Sequence, residues 1–549
     1  MFGTTLVIAN LVLFNGKIWT GDPDKRFANA VAIEGNRIVA VGTNEEVTAA
    51  TPRAATRVDL LGRLVVPGFI DNHVHFIDGG FELSRVQLRD AASPQEFARR
   101  IGEFVKRAGQ GAWVTGGEWD EQLWQPYRLP TRQMIDAVTP DNPVFVTRLD
   151  GHMSLANSVA LKLAGITRDT PDPPGGTIVR DSDGEPTGLL KDAATNAVYA
   201  VIPNPTIDER VVAARAALAE AAKFGVTAFC DMSGGDAFDD LRAYQRVEKA
   251  GQLTARVYLF TPISLLQRLE SAGVEKAFGS ERLRIGGLKG FADGSLGSST
   301  AWFFEPFTNE PNNRGLAMEA MNGAMQIWVP EADKHNLQIA IHAIGDRAND
   351  EVLKIYEKLP RDRRFRIEHA QHLNHDLIKR FAADHVIASM QPYHAIDDGR
   401  WAETKIGHER AKSTYAFRSL IDAGAMLTFG SDWTVAPLNP LLGIYAAVTR
   451  RTIDGRNPNG WIPEQKITVE EALRSYTVNN AYAMFREHEI GKIAPGMLAD
   501  LAVLSEDLFT IAPEKIEGVR VDMTVFDGQV IWTSAPQSSG AMGAALPTC

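Results

Sequence analysis

Val65-Val66-Pro67-Gly68-Phe69-Ile70-Asp71-Asn72-His73-Val74-His75 decides the reading of this chain. A short apolar run ending in two histidines one residue apart reads as a buried strand with both imidazoles at its C-terminal end. Side chains alternate along a strand, so residues i and i+2 point the same way and can grip one ion together. Neutral imidazole is the commonest nitrogen ligand for zinc and related metals. His-x-His alone is a weak signal, because paired histidines also occur in ordinary cores and surfaces. Its weight comes from what stands at the ends of later apolar runs.

Those runs continue through the middle of the chain, residues 65–490. Strand-like segments at Gly225–Asp231, Arg256–Phe260, Ile285–Phe291, Leu337–His342, Arg366–His369, Val386–Gln391 and Met426–Ser431 alternate with helical stretches such as Asp208–Lys223 and Asp346–Lys358. Repeated βα units over this length imply a parallel sheet, either a closed (β/α)8 barrel or an open doubly wound sheet. No Gly-x-Gly-x-x-Gly follows a strand and no Walker-type Gly-Lys-Ser/Thr occurs, which weighs against nucleotide binding. Residues 80–190 break the rhythm. They are rich in Trp, Pro and Gly and read as an insertion after the first strand.

Both ends of the chain have a different texture. Leu11–Phe14 before Asn15-Gly16, Ala30–Ile33 before Gly35-Asn36, and Ile38–Val41 are short β-type runs with hairpin turn chemistry. Asp500–Leu504, Val519–Val525 and Asp527–Ile531 repeat that texture near the C-terminus. The expected organisation is a small β-domain from residues 1–64 and 491–535, a barrel over 65–490 with its insertion, and a loose tail at 536–549.

Bulk composition narrows the class. The 549 residues are 44% hydrophobic and 23% charged, as in ordinary globular enzymes. With 57 basic against 68 acidic residues the net charge is −11, and no basic stripe offsets phosphate charge, so nucleic acid is not an expected partner. Cys230 and Cys549 are too few for a thiolate metal site, and Cys230 lies in an apolar run that reads as core. No stretch approaches the roughly 18 apolar residues of a membrane span. The first 14 residues lack a basic leader and read as a strand, which makes the cytoplasm the default location, with an exported form that has lost its signal as the alternative.

Ligand-type residues stand at the ends of the later strands: Lys289, His342, His369 and Asp432. Catalytic residues of αβ barrels gather at the C-terminal ends of strands. One histidine after a strand is most often a hydrogen-bonded core residue. A complete ordered set is much harder to explain by packing.

At this point the chain resembles the amidohydrolase superfamily, and within it the branch that includes N-substituted formamide deformylase. The matching segments are Pro-Gly-Phe-Ile-Asp-x-His-x-His, Asp150-Gly151-His152, Phe291-Ala292-Asp293-Gly294-Ser295, Ile341-His342-Ala343-Ile344-Gly345-Asp346, Arg366-Ile367-Glu368-His369, Met390-Gln391-Pro392-x-His394 and Gly430-Ser431-Asp432-Trp433. The resemblance implies a distorted (β/α)8 TIM barrel with a small β-sandwich built from both chain ends. It implies His73, His75, His342, His369 and Asp432 as metal-site residues for one or two zinc or similar divalent ions. Lys289 falls where relatives carry a carboxylated lysine bridging two metals. The resemblance also makes a homodimer the expectation.

The chemistry that follows is metal-assisted hydrolysis of a small molecule, with an amide or N-formyl C–N bond as the leading target. Asp432 is the expected general base, taking the water's proton and passing it to the leaving amine. His394 and His152 are expected to donate to the oxygen on which charge develops. Asp293 is expected to order the loop after the lysine strand, and Trp119, Trp124 and Tyr127 could line an apolar cleft or form loop core. An ester, lactone, carbamate or cyclic ureide would be attacked by the same groups. An isomerase, deaminase or decarboxylase on the same scaffold, or a binding protein with a decayed site, completes the alternatives.

Overall fold

The computed structural model describes residues 9–149, 151, 153–173, 176–234, 237–318 and 323–534. The expected tail at 536–549 lies outside them. Two compact units emerge, residues 77–216 and the remainder.

The larger unit contains eight parallel strands: β1 (Phe69–Val74), β2 (Val226–Met232), β3 (Arg256–Pro262), β4 (Leu283–Phe291), β5 (Gln338–Ala343), β6 (Arg366–His369), β7 (Ile387–Met390) and β8 (Leu427–Phe429). They pair in chain order from β1 to β8, with helices in the connections. The backbone N–H of Asp432 donates to the His73 carbonyl (2.8 Å), and that of His75 to the Trp433 carbonyl (2.8 Å). These two bonds bring the end of the eighth strand back to the first and nearly close the barrel.

Each strand is buried on both faces, as a barrel strand covered by helices must be. The faces can be told apart on β4. A Cβ added at Gly287 would lie 2.4 Å from the Phe260 ring, whereas one at Gly290 would meet Met325 and Ile341. Phe260 packs inside the barrel with Ile70 and Cys230, so Gly287, and by alternation Lys289 and Phe291, face inward.

The β1–β2 register holds a bulge. Phe229 pairs with Asp71 and Asp231 with Val74, so two residues of β2 face three of β1. A bulge re-aims side chains locally. Asn72 consequently reaches the barrel interior, where its amide donates to Thr428 Oγ1 (2.7 Å), while His73 still faces the site.

Both chain ends contribute to a β-sandwich. A six-stranded sheet pairs Leu64–Pro67 with Lys17–Trp19 on one side and with Leu501–Leu504, Val521–Phe526 and Gln529–Thr533 on the other. A four-stranded sheet formed by Leu11–Phe14, Ala30–Glu34, Arg37–Gly42 and Thr56–Asp59 shares its core through Leu13, Ile33, Val65 and Val503.

The second unit, inserted between β1 and β2, is built on a six-stranded sheet with the helix Pro94–Ala108. Trp119 and Trp124 are fully buried in its core around Phe97 and donate to the carbonyls of Val146 (3.0 Å) and Ala91 (2.8 Å). The two tryptophans are core residues, not cleft lining, because both the ring and its N–H are satisfied internally. Tyr127 is exposed. No helix among the described residues is long and apolar enough to cross a membrane.

The inward crowding at Gly287 gives a direct test of the barrel packing. Gly287→Val forces a branched side chain into the Phe260 layer and should destabilise the fold by about 1–3 kcal/mol. Thermal unfolding of the variant beside the wild type measures it.

Candidate metal centre

Asp432 is the hub of the site. Its Oδ1 lies 3.5 Å from His73 Nε2 and 3.4 Å from His75 Nε2, and its Oδ2 lies 4.0 Å from His394 Nε2. Two donor groups result, His73–His75–Asp432 and His369–His394–Asp432, each with its ligand-type atoms within 4.8 Å of one another.

Local backbone chemistry explains the Gly-Ser-Asp sequence. A Cβ on Gly430 would lie 2.5 Å from the backbone nitrogen of His73. Ser431 donates through its hydroxyl (2.5 Å) and its N–H (3.0 Å) to buried Asp71, whose other donor is the N–H of His73 (3.1 Å). Asp432 then adopts a left-handed backbone, φ 57°. His369 does the same at φ 71°, and Ala370 follows at 42°. Such backbone is unfavourable for residues with a Cβ and persists only where the surroundings impose it. On β6 the inward positions are Arg366 and Glu368, so plain alternation would turn His369 outward. The left-handed turn instead sets its ring 4.9 Å from that of His73 and 4.5 Å from that of His342.

Partners on the far side of each imidazole fix its tautomer. His73 Nδ1 lies 2.5 Å from Glu368 Oε2 and donates to it, leaving the Nε2 lone pair facing Asp432. His369 Nδ1 donates to Gln391 Oε1 (2.7 Å), again leaving Nε2. His342 points its Nε2 at the Gly294 carbonyl (3.0 Å), so its lone pair is on Nδ1. Burial pushes His73 down to about 4 and His342 down to about 3, and it also lowers His369, so these rings are neutral. The carboxyl of Asp432 lies well below its usual range despite its burial. Neutral imidazoles with inward lone pairs around an ionised carboxylate are the donor chemistry of a divalent cation. The residues present fit one.

The sequence-predicted residues separate into three sets. His73, His75, His369, His394 and Asp432 fall into the two donor groups. Lys289 and His342 lie beside them. Lys289 Nζ is 3.4 Å from His73 Nε2, and burial pushes this amine down to about 8. His342 touches the His369 ring but belongs to neither group. His152 lies outside the described residues. Asp293 accepts from the N–H groups of Trp302 (2.8 Å), Ile344 (2.9 Å) and Gly345 (2.8 Å), tying the loop after β4 to the loop after β5.

Sequence reasoning did not assign the supporting residues. Glu368 is gripped bidentately by Arg366 (2.7 and 3.0 Å) and accepts from Ser389 (2.7 Å), while Arg366 also reaches the Asn72 carbonyl (2.6 Å). Arg366 and Glu368 are both fully buried. Arg-x-Glu within a buried strand was the available signal, since buried charges must be paired.

The fold and site now define a class. The chain matches the amidohydrolase family over residues 56–532 and belongs to it. It is an enzyme of the hydrolase class. It is 42% identical to Protein LONG AFTER FAR-RED 3 of Arabidopsis thaliana over 91% of this chain and 88% of that protein. It is 30% identical to N-substituted formamide deformylase of Arthrobacter pascens over 94% of this chain and 97% of that protein. Among solved structures, an uncharacterised metal-dependent hydrolase of Pyrococcus horikoshii superposes with a TM-score of 0.77 at 29% identity, covering 92% of this chain and 99% of that one.

The orienting role of Gln391 can be isolated. Gln391→Leu removes the acceptor for His369 Nδ1, and loss of such a partner typically costs roughly 10–100-fold in metal affinity. Titration with a metal-buffering chelator should show that loss, and Gln391→Glu should restore most of the affinity.

Proposed function

We propose that this enzyme hydrolyses the C–N bond of an amide or N-formyl compound at a divalent metal centre, with zinc as the metal. The observation that carries the reading is the position of the Asp432 carboxyl, 3.4 to 4.0 Å from the Nε2 atoms of His73, His75 and His394 at the barrel's strand ends. The similarity to a formamide deformylase over nearly the full length of both chains supports the bond type.

From the two donor groups His73, His75, His369 and Asp432 would hold the metal, and His342, beside them with its lone pair on Nδ1, is the further ligand the resemblance implies. A bound cation lowers the pKa of water to about 7 and polarises the substrate carbonyl. Asp432 accepts the attacking water's proton and delivers it to the departing amine nitrogen as the C–N bond breaks. One carboxylate serves both transfers, because it is left protonated by the first and restored by the second. His394 lies close enough to Asp432 to face the same substrate carbonyl and to donate to its developing negative charge.

Lys289 sets the metal count. On reaction with carbon dioxide the neutral amine would form an N–C bond and release one proton, leaving a two-oxygen carbamate anion, and burial favours the neutral amine. A carbamate there would supply two further anionic oxygens for holding a second divalent cation beside the first. Two metal equivalents support the carbamate, and one makes Lys289 a neighbour of a mononuclear site.

The test combines turnover with metal removal. Matched amide and ester substrates separate C–N from C–O cleavage on the same groups. Wild-type protein should lose activity to chelator and regain it with zinc. Asp432→Asn should lower kcat by roughly 10²–10⁴-fold. Amide turnover that survives complete metal removal, or an Asp432→Asn variant of wild-type rate, would sink the proposal.

A further inference from the structure

His369 and His394 share the second donor group with Asp432 but come from different segments. His369 ends β6, and His394 lies in the helix Pro392–Asp398 that follows β7. Their rings are nearly parallel, 12° apart in plane with centroids 6.4 Å apart. Gln391 joins the two segments at the start of that helix, by accepting from His369 Nδ1 (2.7 Å). A second bond joins them at its far end. Gln371, two residues past His369, donates through Nε2 to Oδ2 of Asp398, four residues past His394 (2.9 Å). Residues four apart on a helix are neighbours on one face, so Asp398 stands on the His394 side.

Both ends of this clasp are themselves held. Gln371 is buried, and Nε2 also donates to His372 Nε2 (3.0 Å). Burial pushes His372 down to about 3, so its ring is neutral. It donates from Nδ1 to Thr414 Oγ1 (2.8 Å) and keeps Nε2 as the acceptor. With both amide hydrogens committed, Gln371 has one orientation. Tyr415 braces the other end. Its hydroxyl donates to Asp398 Oδ2 (2.6 Å) and its backbone N–H to the Gln371 carbonyl (2.8 Å). The buried Arg450 guanidinium in turn donates to the carbonyls of Tyr415 (3.0 Å) and Thr414 (3.3 Å). Gln371, Asp398 and Tyr415 belong to neither donor group. Their bonds run between the segments that carry one.

We propose that Gln371 and Asp398 are positioning residues, whose bond sets the spacing of His369 and His394 and thereby the aim of His394 at the substrate carbonyl. The aim at a carbonyl rests on the amide-hydrolase reading, whereas the spacing does not. Two readouts keep these apart. Crystal structures of the chelator-stripped enzyme give the ring spacing, and kcat and KM of the zinc-loaded enzyme toward a simple amide give the catalytic effect. Unfolding temperature, measured on each variant, shows whether the fold is intact.

In Asp398→Ala the His394 ring should shift by about 1 Å relative to His369, and kcat should fall roughly 10–100-fold with KM little changed. Gln371→Leu cuts the same bond from the other side and should do the same, which keeps the test open if one variant fails to fold. Asp398→Asn retains an oxygen acceptor and should restore both spacing and rate. Tyr415→Phe leaves the Gln371–Asp398 bond in place and should leave the spacing unchanged. In a His394→Ala background, Asp398→Ala should cost no further kcat. Rings unmoved in the folded clasp variants would overturn the inference, as would an equal shift in Tyr415→Phe or a full loss of kcat that persists without His394. Shifted rings in an enzyme without amide turnover would sustain the spacing role while removing the amide reading. Amide turnover with unmoved rings would do the reverse.

Discussion

The closure of the barrel is the constraint on which the site depends. Asp432 N–H on the His73 carbonyl and His75 N–H on the Trp433 carbonyl are backbone bonds between the last strand end and the first. The same two bonds bring two imidazoles against the Asp432 carboxylate. Asp71 reinforces the junction by accepting from both Ser431 and His73. Gly430 permits the approach, since any side chain there would run into His73 backbone. Closing the sheet and assembling the donor group are one event.

Beneath that junction the barrel interior is polar where packing alone would make it apolar. Arg366, Glu368, Asn72 and Ser389 satisfy one another, and Glu368 spends one oxygen on His73. A buried ion pair of this kind is weak support for stability, because desolvation offsets the attraction. Its function is orientation. Arg366 and His73 hold Glu368 well below its ordinary range despite its burial, so it stays an anion and an acceptor. That fixes which nitrogen of His73 carries the lone pair.

Much of this was legible in the chain. Apolar runs ending in His73 and His75, His342, His369 and Asp432 pointed to the parallel architecture, and the paired β-textures of both ends pointed to the sandwich. What stayed hidden has a common cause, departure from regular strand geometry. A bulge turns Asn72 inward, and left-handed backbone at His369 and Asp432 swings their side chains over the strand ends. Periodicity cannot show either. The tautomer of His342 depends on the Gly294 carbonyl, which no side-chain pattern encodes. Aromatic density in the insertion was equally ambiguous, and Trp119 and Trp124 proved to be core.

The cluster around Asp432 is proposed to hold a catalytic divalent cation. Anomalous diffraction at the zinc edge from crystals of the zinc-loaded enzyme tests it most directly. The expected peak lies about 2 Å from the Nε2 atoms of His73 and His75 and from a carboxylate oxygen of Asp432. A zinc-loaded crystal with no peak among these residues, or with its peak elsewhere, would contradict it.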